Sequence, residues 1–132
     1  MSLENRREIS RVRLAQAEEC LADAKLLLER ESYRGAANRS YYAAFHAMRA
    51  VLAYDGIDRK HHSAVIAEFR RLYIKTGVFE SAMSDTIRDL FDLRADSDYD
   101  DFFVASKEEV AEQFGYAEQF VRRVKTHLTK QS

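Results

Sequence analysis

Not one of the 132 residues is proline, and apolar side chains recur at alternating steps of three and four along nearly the whole chain. Proline breaks helices and punctuates loops, whereas the three-and-four spacing draws a single apolar face along an α-helix. A chain with both properties, and only four glycines for turns, is confined to helices joined by short connections. With 46% hydrophobic and 33% charged residues, it can close a core without metals or disulfides. The expected architecture is one all-α domain over residues 1–132, an up-and-down antiparallel bundle of about five helices.

The stripes place the helices. Leu14, Ala17, Leu21, Ala24 and Leu28 line the first, over about residues 3–30. A short break follows, with Ser32 as a cap, so the second helix turns back against the first. That helix, about residues 33–55, carries Ala37, Tyr41, Ala44, Met48 and Val51, widened by Phe45 and Leu52. DGIDRKHHS stops it, and Ser63 or His62 caps a third helix bearing Val65, Ile66, Phe69, Leu72 and Tyr73, which ends at Thr76 and Gly77. A fourth, over about residues 79–93, buries Met83, Ile87, Leu90 and Phe91. The polar run RADSDYDD, residues 94–101, then interrupts the pattern. Beyond it Ser106 and Glu109 have capping-box spacing ahead of the longest stripe, Val110, Phe114, Ala117, Val121, Val124 and Leu128.

A net charge of -1 and a pI near 6.4 give no general attraction to nucleic acid or membrane, so any polyanion site must be local. Cys20 is the only cysteine; it forms no internal disulfide and is expected as a buried thiol. No apolar run approaches the ~20 residues that span a bilayer, and MSLENRREIS lacks the apolar core of a signal peptide, so a cytoplasmic location without membrane contact is expected.

Three polar clusters stand out. On the second helix Asn38, Tyr42 and Arg49 share one face, and Arg39 and His46 an adjoining one. They are either ligand-binding groups or interior side chains with satisfied polar tips. Arg59, Lys60, His61 and His62 precede the third helix, where they either hold a phosphate or form a solvated loop. The third cluster is the interruption, where Asp89, Asp92, Asp96, Asp98, Asp100 and Asp101 surround Arg94 and Tyr99. No EF-hand or zinc spacing is present, and no metal or cofactor is expected. Arg94 falls where Leu90 calls for an apolar successor, and burying a guanidinium there requires a carboxylate, Asp96 or Asp98, or a bound anion.

ANRSYYAAFHAMRAVLAYDGI, RKHHSAVIAEF and LRADSDYDDF before a long last helix, in that order, together resemble the HEPN domain family. The resemblance covers about residues 14–128. It implies a bundle that commonly forms homodimers and is often encoded beside a minimal nucleotidyltransferase, as a two-component or toxin–antitoxin module. Many members are metal-independent ribonucleases, in which an Arg followed after four to six residues by a His forms a composite site across the dimer. The matching arginine is Arg94, but Tyr99 stands at the histidine's spacing. Tyrosine is a poor base near neutral pH, although it donates hydrogen bonds. The pairs Arg39 with His46 and Arg122 with His127 also fit the bare spacing, outside the family's position.

Three functions remain open on these residues. The first is a nucleotide- or RNA-phosphate-binding partner of a nucleotidyltransferase, using Arg94 with Asn38, Arg39, Tyr42, His46, Lys60 and His61. The second is an endoribonuclease toxin acting through Arg94 with Asp98, Tyr99 or a histidine recruited from elsewhere, such as His46 or His61. The third is a helical partner-docking module.

Overall fold

The structure, a computed structural model, describes residues 2–131. Five α-helices account for most of it: α1 (Leu3–Glu29), α2 (Tyr33–Tyr54), α3 (His62–Phe69), α4 (Ala82–Tyr99) and α5 (Lys107–Gln131), with no strand among the described residues. α3 runs directly into a π-helical turn, Arg70–Ile74, which sequence periodicity does not reveal.

The second helix is the axis of the bundle, touching α1, α3, α4 and α5. Its alanines explain that position: Ala36, Ala37, Ala43, Ala44, Ala47, Ala50 and Ala53 are all buried, so neighbouring helices approach it from several sides. Tyr41, Met48, Val51 and Leu52 fill the remaining space against Phe69, Phe79, Ile87, Leu90 and Val124. Cys20 lies buried in the same core.

Backbone hydrogen bonds define how the first two helices end. Ser32 N–H donates to Leu27 O (2.8 Å) and Glu31 N–H to Leu28 O (3.1 Å), with Glu31 at φ 62°. This is a Schellman turn with glutamate in the left-handed position that glycine usually takes. At the end of α2 the equivalent position is Gly56, at φ 80°. A Cβ there would lie 2.9 Å from the Arg6 guanidinium, a flexible group that can give way, so it is the backbone angle that selects glycine.

Several caps differ from expectation. Ser32 stands at the start of α2 but its side chain caps nothing, and His61, not His62 or Ser63, occupies the cap position of α3 without a side-chain bond. Ser106 does cap α5, its Oγ accepting from Glu109 N–H at 3.1 Å.

The largest correction concerns residues 94–101. α4 does not stop at Leu93 but continues to Tyr99, because Leu93 and Ser97 carry its buried face one turn further. Aspartates at a helix C-terminus oppose the helix dipole, which is why the segment reads as an interruption. Arg34 of α2 offsets this: its guanidinium donates to the carbonyls of Ser97, Asp100 and Phe103. Phe91, in turn, is not buried but 39% exposed. α4 also begins later than expected, at Ala82, with Phe79 buried in the turn before it.

Candidate functional site

Because α2 and α4 pack side by side, Arg94 comes to lie across the middle of α2. Its guanidinium carbon sits 5.5 Å from the Tyr41 ring centre, 5.4 Å from Tyr42 and 5.8 Å from Tyr99. Three aromatic faces thus enclose one cation within the range where the ring quadrupole attracts it. Its Nη2 donates to Tyr42 Oη at 3.4 Å. One turn along, Asp98 Oδ2 stands 2.9 Å from Arg94 Nε. This contact is an ion pair rather than a hydrogen bond, since the buried Nε–H finds no acceptor along its own direction. Asp98 also accepts from Asn38 Nδ2 at 3.5 Å, linking α2 to α4.

The cluster extends along α2. Arg39 Nε and Nη2 donate to Asn38 Oδ1 at 3.0 and 2.7 Å, and its guanidinium lies over the Tyr42 ring at 5.1 Å. His46 lies tilted beside Tyr42, and Arg49 reaches over Phe45. Arg13 and Arg49 both hold Asp58, at 3.1 and 3.3 Å. Partial burial pushes the Asp58 carboxyl up, but the two arginines hold it below its ordinary value. Four arginines and two histidines therefore share one face, answered among the described residues by Asp58 and Asp98.

His62 enters this site from α3. Its ring stacks on Phe45 at 4.1 Å, and its Nδ1 lies 2.9 Å from Tyr41 Oη. Burial, followed by Arg94 and Arg49, pushes the His62 imidazole below its ordinary value. The same holds for His46, through burial and then Arg49, Arg39 and Arg13; its Nδ1 is buried without a partner. Both rings are thus held toward the neutral form by a positive surrounding. Tyr41 is pushed up to about 12 by burial, against the opposing pull of Arg94.

Of the residues singled out from sequence, the structure brings Arg94, Asp98, Tyr99, Asn38, Arg39, Tyr42 and His46 together. Lys60 and His61 it does not: both are exposed in the loop before α3 and outside the cluster. Asp96 is exposed, so Asp98 is the partner of Arg94. Among the described residues no three His, Cys, Asp or Glu side chains converge to hold a metal ion. His62, expected either as a cap or with Arg59, Lys60 and His61 in a separate basic cluster before the third helix, instead joins the cluster on α2 and α4. Its register with Ile66 and Phe69, four and seven residues on, suits an inward-facing ring, but His61 stands four residues before the buried Val65, so packing rather than spacing separates the two.

Comparisons with known proteins place the bundle in a family. The HEPN domain family matches residues 10–127. The chain belongs to the HEPN family. A UPF0332 protein of Thermotoga maritima is 37% identical over 106 residues, covering 80% of each chain. A Methanocaldococcus jannaschii protein named "Putative toxin MJ0605" is 38% identical over 115 residues, 85% of this chain and 83% of its own. The solved structure of ST0689, described as an archaeal HEPN homologue, superposes with a TM-score of 0.64 at 19% identity, covering 90% of this chain and 97% of that one. That likeness concerns the fold alone. No helix among the described residues is long and apolar enough to cross a membrane.

Proposed function

We propose that this HEPN protein binds RNA or nucleotide phosphate at Arg94, as one component of a toxin–antitoxin-type module with a nucleotidyltransferase partner. The observation that carries the reading is the enclosure of a guanidinium, its side chain 16% exposed, by three tyrosine rings on a face shared with Arg13, Arg39 and Arg49. Rings fix its plane, and a fixed guanidinium presents paired donors to a phosphate. The relatives named as toxins support the module class. A homodimer is part of the proposal: Tyr99, against Arg94, and Phe102 and Val104 in the connection that follows α4 are 76%, 94% and 85% exposed, apolar surface suited to a second copy.

Fluorescence anisotropy with a short labelled single-stranded RNA tests the reading. Wild-type protein binds, and Arg94→Ala weakens binding at least about tenfold, one charge-assisted contact being worth that much. Equal affinity for both proteins would remove the proposal. Size measurement of the purified chain addresses the dimer, and co-purification with the adjacent gene product addresses the nucleotidyltransferase.

A second reading, cleavage of RNA, is favoured by His62. Tyr99 occupies the spacing of the family's histidine, but His62 brings an imidazole beside Arg94 from another helix. There it would take the 2′-hydroxyl proton as that oxygen attacks phosphorus; the bond to the 5′-oxygen breaks, leaving a 2′,3′-cyclic phosphate and a 5′-hydroxyl protonated from water or from the same imidazole, while Arg94 stabilises the charge on the non-bridging oxygens. RNA cleavage abolished in both His62→Ala and Arg94→Ala supports this reading, and intact RNA after incubation with wild type rejects it.

A further inference from the structure

A groove of about 620 Å³ runs between α3 and α4, lined by His62, Ile66, Ile87, Phe91 and Asp92 with His61 at its rim. We propose that it receives an unpaired nucleobase of an RNA whose phosphate is held at Arg94; the inference rests on the phosphate-binding reading and extends it.

The groove is continuous with the cationic site. His62 belongs to both, lining the groove while its Nδ1 meets Tyr41 Oη at 2.9 Å. Phe91 meets the same Tyr41 ring edge-on at 5.8 Å, and Arg94 packs over that ring at 5.5 Å. Phe91, Arg94 and Asp98 follow at steps of three and four along α4, so the groove opens onto the same face as the guanidinium, one turn away.

Its chemistry suits a base and not a second phosphate. Ile66 and Ile87 are buried in its floor, and the ring of Phe91 is 39% exposed, a large apolar group left partly uncovered. The two arginines of the groove are engaged elsewhere: Arg70 donates to Ser84 Oγ and O, and Arg88 pairs with Asp85 and Asp89. Asp92 stands at the mouth without a partner among the described residues, where its carboxylate repels phosphate but accepts from an exocyclic amino group. Adenine, cytosine and guanine carry such a group and uracil does not. Aromatic faces beside a basic track are the usual means of holding unpaired bases. The volume lies within the range of small-ligand pockets.

Anisotropy with an oligoadenylate, an oligouridylate and an abasic strand of equal length tests this on the full chain. Phe91→Ala weakens the oligoadenylate about tenfold, the loss expected for one stacked base, and leaves the abasic strand unchanged. Asp92→Ala, which removes the acceptor altogether, reduces the preference for oligoadenylate over oligouridylate. Circular dichroism confirms that each variant is folded, as expected for exposed positions. Equal weakening of all three strands, or of none, by Phe91→Ala overturns the base site while Arg94 dependence persists. Failure of the phosphate reading is different: then Arg94→Ala leaves every strand's affinity unchanged, or wild type binds none, and both proposals fall.

Discussion

Asp98 Oδ2 lies 2.9 Å from Arg94 Nε and also takes the Asn38 amide at 3.5 Å, so one carboxylate ties the site's cation to both α2 and α4. An incoming phosphate competes with that carboxylate for the guanidinium. The three tyrosine rings hold Arg94 independently of Asp98. Asp98→Asn is therefore expected to tighten RNA binding roughly two- to fivefold at low salt, by removing a negative charge from a cationic face. Titration of both proteins in the same buffer checks it; weaker binding by the variant would make Asp98 an essential positioning group instead.

Three histidines, His46, His62 and His127, make the fold sensitive to acid, the first two within the site. His46 and His62 are both held below their ordinary values, first by burial and then by surrounding arginines. The unfolded chain thus binds more protons than the folded one as pH drops below the unfolded histidine value near 6.5, so stability rises with pH in that window. Their contribution is fully present above about pH 6.5 and is lost as pH falls through the depressed folded values. Thermal melts between pH 7.5 and 5 should show a declining midpoint, and a double variant, His46→Gln with His62→Gln, a shallower decline. A double variant with the wild-type slope would locate the acid sensitivity elsewhere.

Arg34 secures the end of α4 and the connection that follows, donating to three carbonyls between Ser97 and Phe103. Arg34→Ala should cost about 2 kcal/mol, since hydrogen bonds from a charged donor are among the stronger ones and the carbonyls lose their partner. Hydrogen exchange should show the loss of amide protection concentrated in the last turn of α4. Uniform loss across the bundle would mean that Arg34 supports the global fold rather than this corner.

Glu31 adopts φ 62° in the turn between α1 and α2, a conformation that costs a side-chain-bearing residue energy and glycine none. The turn's hydrogen bonds are backbone ones and survive the substitution. Glu31→Gly should stabilise the protein by about 0.5–1 kcal/mol, read from denaturant midpoints at constant slope. A destabilised variant would show that the entropy glycine adds to the unfolded chain outweighs the relieved strain.

How far these features were legible in the sequence differs by residue. The faces of α1, α2 and α5 follow from local spacing: Ala17, Tyr41, Met48 and Val124 are buried where a 3.6-residue period puts them. Arg94 was legible as a cation on an apolar stripe, and Asp98 as its neighbour four residues on. The end of α4 was not, because local propensity counts its aspartates against a helix while the compensating charge, Arg34, is 63 residues away in the chain. Nor does one stripe describe α2, whose small residues are buried on several sides once four helices surround it. His62 fell between these cases: its register with Ile66 was visible, but the Tyr41 hydroxyl and Arg94 that give it significance are brought to it only by packing.

The salt dependence of RNA binding tests the central claim most directly. If Arg94 holds a phosphate, the logarithm of affinity falls linearly with the logarithm of salt concentration, and Arg94→Ala lowers the magnitude of that slope by about one unit or slightly less, the share of a single phosphate contact. An unchanged slope with unchanged affinity would contradict the account and leave Arg94 as a structural cation held by Asp98 and three tyrosines.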